Sequence, residues 1–343
     1  MFATASISAG SQIVPLGEIV PENDTLIRRV RVTVPAKVNL FLSVRGVRDD
    51  GYHELVTILH SVGLRDTIEA DLIGSAFAVD HPASRASMRL EFAHDGHQGV
   101  PGGDDNLVVQ AADALMAKVG MGGGRERHFR ASSPVTSINL AKRIPVAAGM
   151  AGGSADAAAT LIALNRLWQC GLDDSDLRSI AAELGADVPF CVTGGTALAT
   201  GTGTATARVL TRGEYHWVVG IDDRPLSTPE VYRAFDEYCE PSIVEPDAVL
   251  QALRTGDAEA LGAALHNDLQ AAAEHLRPDL AERRAALIGA GALGAIVSGS
   301  GPTIVGLAAN AEDARRIAAE VADVFARVEV TTSPAGGPDL RGS

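Results

Sequence analysis

Residues 145–156 read Pro145-Val146-Ala147-Ala148-Gly149-Met150-Ala151-Gly152-Gly153-Ser154-Ala155-Asp156, a glycine-rich loop running into an alanine-rich helix start. Glycine lets backbone N–H groups come close to an anion. The first turn of a helix adds unsatisfied N–H groups and a partial positive charge at the same place. Such a junction can hold phosphate. It matches neither GxxxxGK[ST] nor GxGxxG, so it is no Walker A loop and no dinucleotide fingerprint. A glycine turn before a helix also serves plain packing, but the preceding Lys142-Arg143 and the length of the run favour phosphate. Two isolated charges stand elsewhere. Asp187 is alone in the apolar Leu184-Gly185-Ala186-Asp187-Val188-Pro189-Phe190, where it is either a turn or capping residue or a paired functional carboxylate. Lys37 is alone among alternating apolar strand positions, where a lysine commonly faces solvent, and Asn39 lies two residues on, on the same face.

The elements that position these residues show in the hydrophobic period. Val30, Val32, Val34 and then Val38, Leu40, Leu42 alternate as half-buried strands do, with Pro35 breaking the run at a bend. Strands are expected over 55–62, 66–72 and 137–144, and helices over 106–119, 154–168 and 174–184, the last capped by Asp174 or Ser175. Residues 188–192 and 196–199 read as strands, and 201–204 as a turn. The second half reads as a strand at 216–221, helices at 229–238, 246–253, 257–265 and 276–289, a strand–turn pair at 295–306, a helix at 311–326 and a strand at 328–332. Strands and helices in runs, without strict βαβ alternation, indicate an α+β fold.

The chain has 343 residues, enough for two domains. An N-terminal extension is expected over 1–28, a first domain over 29–212, a second over 213–333 and a flexible tail over 334–343. Hydrophobic content of 46% and charged content of 21% suit a globular protein. No apolar run approaches the ~20 residues that span a bilayer, so no membrane association is expected. No secretory signal stands at the N-terminus. A net charge of −14 argues against nucleic-acid binding, and a phosphorylated substrate must be drawn in by local cations. Cys170, Cys191 and Cys239 form no CxxC pair, which suits a reducing cytoplasm. The 9 histidines show no metal-ligand spacing, so no protein metal site is expected.

Three segments together resemble the GHMP kinases, the small-molecule kinase family of galactokinase, homoserine kinase, mevalonate kinase and phosphomevalonate kinase. They are Pro35-Ala36-Lys37-Val38-Asn39-Leu40, the loop at 145–159, and Val297-Ser298-Gly299-Ser300-Gly301-Pro302-Thr303. Their order and separation cover most of 31–307. The resemblance implies two domains, the first of the ribosomal-protein type and the second ferredoxin-like. It also implies transfer of the ATP γ-phosphoryl group to a hydroxyl, with magnesium accompanying ATP. Asp50-Gly51-Tyr52-His53-Glu54-Leu55, Leu184–Phe190 and Ser227-Thr228-Pro229 with Tyr232 narrow it to a branch whose acceptor carries a cytidine diphosphate group. One departure is that Met150-Ala151 stands where Leu-Gly is usual, which costs little if Ala151 keeps a negative φ.

By that resemblance Asp187 is the catalytic base and Lys37 its partner, and Asn39 contacts the substrate. Tyr52 and Tyr232 bracket the cytosine, His53 reads its edge, and Thr228 adds a polar contact. Residues 145–155 hold ATP through their backbone, with Ser154 at phosphate or magnesium, and the 298–301 turn folds back over the loop. Another GHMP kinase, for homoserine or mevalonate, is the nearest alternative; an acceptor without a nucleobase has no need of a Tyr-His base site. A non-catalytic nucleotide-binding regulator on the same fold is the other, and it has no need of both Lys37 and Asp187.

Overall fold

The computed structural model describes residues 3–7, 25–74, 89–95, 99–121, 135–241 and 243–342. The alternating valines form β2 (Thr25–Val47), which follows β1 (Ala3–Ile7) and pairs along its length with β3 (His53–Gly74). Pro35 does not end the strand. It faces Arg65, and the register then shifts so that Ala36 faces Val62, leaving Gly63 and Leu64 as the extra residues. A bulge absorbs the proline's missing N–H, so the expected strands over 55–62 and 66–72 are one strand. Val32 to Val44 lie buried save Thr33, because the far half of β2 is covered on both faces. That is how a charged Lys37 comes to be enclosed.

Next come β4 (Arg89–His94), α1 (Leu107–Lys118), β5 (Val135–Ala141) and α2 (Gly152–Leu167). The alanines of α2 let it pack closely on β2 and β3, with Ala155, Ala157, Ala158, Ala159 and Leu161 in one core. Asp173, rather than Asp174 or Ser175, caps α3 (Asp174–Leu184) through a capping box with Asp176. The stretch after it, read as a strand, is helix α4 (Val188–Thr193). Its apolar, β-branched residues mimic a strand, but Pro189 sits in the first turn, where its fixed φ and missing N–H cost nothing. Then follow β6 (Thr196–Gly201), β7 (Ala205–Arg208) and β8 (Tyr215–Ile221).

The remainder is α5 (Thr228–Tyr238), α6 (Asp247–Thr255), α7 (Ala258–Ala264), the short β9 (His266–Asn267), α8 (Leu269–Leu276), α9 (Asp279–Gly289), β10 (Gly294–Val297), β11 (Ile304–Ala308), α10 (Ala311–Glu320), β12 (Arg327–Ser333) and β13 (Asp339–Gly342). The helix expected over 276–289 starts only at Asp279, because Pro278 disfavours helical backbone at Arg277 and separates α8 from α9.

Among the described residues the larger sheet runs β1-β4-β5-β3-β2-β13, with β6 and β7 added through β3 and β9 through β2. The smaller sheet is antiparallel, in the order β10-β11-β8-β12. Leu42 and Val44 of β2 join its core, beside Val218, Val231 and Phe235. Both chain ends contribute strands to the larger sheet. Ala3–Ile7 pairs with β4, and the tail read as flexible pairs with β2, Asp339 opposite Thr33 to Gly342 opposite Val30. An edge strand needs only backbone partners, so Asp339 and Arg341 carried no apolar alternation to reveal it. The remainder of 1–24 lies outside the described residues.

Candidate active site

Lys37 is a charged side chain in the buried half of β2, and its surroundings define the candidate site. Lys37 Nζ donates to Asn39 Oδ1 at 2.8 Å and to the Gly149 carbonyl at 3.3 Å, and lies 3.4 Å from Asp187 Oδ2. Three acceptors surround an ammonium with three donors, which is what enclosing it requires. Asn39 is held in turn: its Nδ2 donates to Thr57 Oγ1 at 2.8 Å, and that hydroxyl donates to the Phe41 carbonyl at 2.7 Å. The Lys37 side chain is 5% exposed and that of Asp187 35%, so the lysine is fixed while the carboxylate opens outwards.

Asp187 precedes α4 as its N-cap residue, yet its side chain makes no capping bond. The capping role is thereby excluded, and the carboxylate faces Lys37 instead. Burial, then the charge of Asp187, raises the Tyr232 hydroxyl above the ordinary tyrosine range. The same two causes raise the thiol of Cys191, one turn past Asp187, and keep it protonated.

The glycine loop is bound to this pair. Lys37 N–H donates to the Met150 carbonyl at 3.2 Å. Ser298 Oγ, from the turn between β10 and β11, donates to the Gly149 carbonyl at 3.0 Å. Gly149 has φ +75°, and a Cβ there would lie 2.0 Å from the Ser298 carbonyl oxygen, so only glycine allows this contact. Ala147 and Ala151 also take positive φ, at 51° and 57°. Ala151 therefore does not meet the condition under which alanine would cost little: its backbone is left-handed, which a methyl group disfavours. Ala151 provides no side-chain cap to α2, and the helix's first backbone bond is Ala155 N–H to the Ala151 carbonyl. The N–H groups of Gly152, Gly153 and Ser154 have no intrahelical acceptor. Gly153 is exposed and Ser154 half-buried, on the open side of the helix end. Lys142, whose charge before the loop favoured the phosphate reading, is buried and ion-paired with Asp66 and Asp156.

The residues expected at the nucleobase are only partly assembled. His53 Nε2 lies 2.7 Å from Asp236 Oδ1, and its ring meets that of Tyr232 at 4.6 Å. Tyr52 is 68% exposed at the tip of the β2–β3 hairpin, and the ring facing Tyr232 is that of His53. Thr228 lies in the first turn of α5, after the cap residue Ser227, and its hydroxyl is 2.7 Å from that of Ser300 in the turn over the loop.

Sequence reasoning missed His266-Asn267-Asp268, a polar triplet between two helices. Asn267 Nδ2 donates to the carbonyls of Val297 and Gly299, each at 2.8 Å, and its Oδ1 accepts from Leu269 N–H at 3.0 Å. Asp268 Oδ2 accepts from Val44 N–H at 2.7 Å. The triplet thus ties the turn over Gly149 to the strand that carries Lys37. The only local signal was three polar residues between apolar helices. Among the described residues no three His, Cys, Asp or Glu side chains gather as a metal would require, and no helix is long and apolar enough to cross a membrane.

The profile "GHMP kinases N terminal domain" matches residues 106–195 and "GHMP kinases C terminal" residues 249–327. A 4-diphosphocytidyl-2-C-methyl-D-erythritol kinase of Corynebacterium efficiens is 44% identical over 313 residues, 90% of this chain and 96% of the relative. The protein of that name from Salinispora arenicola is 45% identical over 315 residues, 90% and 93% of the two chains. A crystal structure of 4-(cytidine 5'-diphospho)-2C-methyl-D-erythritol kinase, 34% identical, superposes with a TM-score of 0.69 over 88% of this chain and 98% of that one.

Proposed function

The chain belongs to the GHMP kinase family, and we propose that it phosphorylates 4-diphosphocytidyl-2-C-methyl-D-erythritol on its 2-hydroxyl with ATP, giving the 2-phosphate and ADP in non-mevalonate isoprenoid precursor biosynthesis. The observation that carries the chemistry is the carboxylate of Asp187, free of any capping bond and 3.4 Å from a fully enclosed ammonium, beside the loop before α2.

In this reading the acceptor oxygen forms a bond to the γ-phosphorus as the bond to the β,γ-bridging oxygen breaks, and the bridging oxygen leaves on ADP. The hydroxyl proton passes to Asp187. Lys37 holds that carboxylate in place and offsets charge on the transferring group. The free N–H groups of Gly152, Gly153 and Ser154, with the backbone of 145–151 around them, take the phosphate oxygens. Magnesium fits as an ion carried on the nucleotide, with Ser154 as the nearby hydroxyl, since the chain gathers no carboxylate cage among the described residues. It would neutralise phosphate charge there. Tyr232 offers one face to the cytosine, and His53 an edge contact, with Asn39 and Thr228 along the acceptor. Tyr52 supplies the second face by turning in from the hairpin tip. Three free cysteines suit a reducing cytoplasm.

The test is ADP release with the cytidyl substrate, homoserine and mevalonate in parallel. Turnover with the cytidyl substrate alone is expected. Turnover with homoserine or mevalonate, and none with the cytidyl compound, rejects the reading.

A further inference from the structure

A buried ionic cluster lies beneath the loop and, among the described residues, shares no ion pair with Lys37 or Asp187. Lys142 follows β5 and leads into the loop; Asp66 lies on β3; Asp156 is in the second turn of α2. Lys142 Nζ is 2.5 Å from Asp66 Oδ2 and 2.8 Å from Asp156 Oδ2, and all three side chains are 5% exposed or less. The other oxygen of Asp66 accepts from the backbone N–H groups of Arg143, at 2.5 Å, and Ile144, at 2.8 Å. Asp156 Oδ1 is buried with no hydrogen-bond partner among the described residues. Burial and the Asp66 carboxylate push Asp156 well above the usual carboxylate range, against the pull of Lys142. Burial lowers the Lys142 ammonium, but the two carboxylates outweigh it and hold it above the ordinary range.

Stability does not account for this cluster. Each buried ion costs several kcal/mol of desolvation, and apolar residues of similar volume commonly serve the core as well or better. What the cluster does is fix geometry. It clamps the strand entering the loop to the helix leaving it, across 14 residues of sequence. Gly152 fits the same plan, since a Cβ there would lie 2.8 Å from Lys142 Nζ. Its missing side chain therefore makes room for the ammonium inside, rather than for phosphate outside. Gly153 differs: a Cβ there would meet only Leu107 Cδ1, at 3.3 Å.

We propose that Asp66, Lys142 and Asp156 are positioning residues, which hold the N-terminal N–H groups of α2 and the loop at the spacing that receives the nucleotide triphosphate. This rests on the reading that the loop binds ATP phosphates. Preorganised donors lose much of their effect on small displacement, so loosening the clamp weakens nucleotide binding without touching the acceptor site.

The experiment uses the full chain with Asp156→Asn, Lys142→Met and, as a control on the loop itself, Gly153→Val. Melting temperature, affinity for a non-hydrolysable ATP analogue by calorimetry, and KM for each substrate are measured. Asp156→Asn and Lys142→Met are expected to lower analogue affinity and raise the KM for ATP by roughly 10- to 100-fold, with the acceptor KM within about threefold of the unmodified protein. A fall in melting temperature with both KM values unchanged marks the cluster as merely structural and overturns the proposal. Should Lys142→Met fail to fold, Asp156→Asn decides alone, because it keeps the shape and one acceptor for Lys142. Unchanged analogue affinity in folded Gly153→Val instead rejects the loop as the phosphate site. Weakened binding in Gly153→Val but not in Asp156→Asn leaves that site standing and rejects the clamp.

Discussion

The Ser298 hydroxyl donates to the Gly149 carbonyl, the same oxygen that accepts from the buried Lys37 ammonium. A turn of the smaller sheet and a loop of the larger one therefore share one acceptor beside Lys37. Gly299 extends the contact: a Cβ there would lie 3.3 Å from Asn39 Oδ1 and 3.6 Å from Lys37 Nζ. The position of the lysine depends on how the two sheets dock as well as on its own strand.

Gly149→Ala tests that docking. The new methyl group meets the Ser298 carbonyl oxygen, and positive φ alone costs about 1–2 kcal/mol. The variant should unfold at lower urea and lose most turnover, whereas Gly153→Ala should keep its stability. Equal urea midpoints for the two variants count against the close contact.

Asp187→Asn should retain the fold and lose roughly 10²–10⁴-fold in kcat, the usual contribution of one acid–base partner. The substitution spends no capping bond, so circular dichroism and melting temperature should hardly change. Near-normal turnover in the folded variant removes Asp187 from the mechanism.

Tyr232→Ala should raise the KM for the cytidyl substrate about 5- to 150-fold, the equivalent of roughly 1–3 kcal/mol of base stacking. The KM for ATP should hold, because the helix end at 152–154 is a separate surface. Tyr52→Ala discriminates further. A comparable rise places Tyr52 on the second face of the base, and no rise leaves His53 and Tyr232 as the whole aromatic contact.

Asn267→Asp replaces the donor to Val297 and Gly299 with a carboxylate facing two carbonyls. Each carbonyl left without a donor costs about 1–3 kcal/mol, and the turn over Gly149 should loosen. Urea unfolding and kcat should fall together. A stable, fully active variant shows that the turn needs no such tie.

His60 sets an acid limit on stability. It is buried between Thr196 Oγ1 at 2.7 Å and Ser333 Oγ at 2.6 Å, and Trp217 Nε1 donates to the same Ser333 hydroxyl at 2.7 Å. Burial lowers its pKa from 6.5 to about 3. Between those values the unfolded chain binds the proton and the folded chain does not, so stability is complete above pH 6.5 and falls as the pH drops towards 3. The loss attributable to His60 should reach roughly 2 kcal/mol by pH 5. His60→Gln should flatten this part of the urea-midpoint profile, and an identical slope in both proteins refutes the assignment.

Local pattern carried a good part of this protein. The loop running into α2, the shared face of Lys37 and Asn39, and most helix bounds follow from period, capping and glycine chemistry, which act over a few residues. The family motifs carried the kinase reading. Short-range signals misled where two states share a composition: Val188–Thr193 looks like a strand until Pro189 is weighed as a first-turn residue, and Lys142 looks like a phosphate ligand until its partners are seen. Other features have no local signal at all. Asp66 reaches the loop backbone across 77 residues, and Asp268 reaches Val44 across 224. The freedom of the Asp187 carboxylate, the exposure of Tyr52 and the pairing of β13 with β2 are likewise settled by what lies opposite each residue in space. Hydrophobic period and turn chemistry specify which elements form, but a buried charge is satisfied only by whichever distant group the packed fold brings within hydrogen-bond reach.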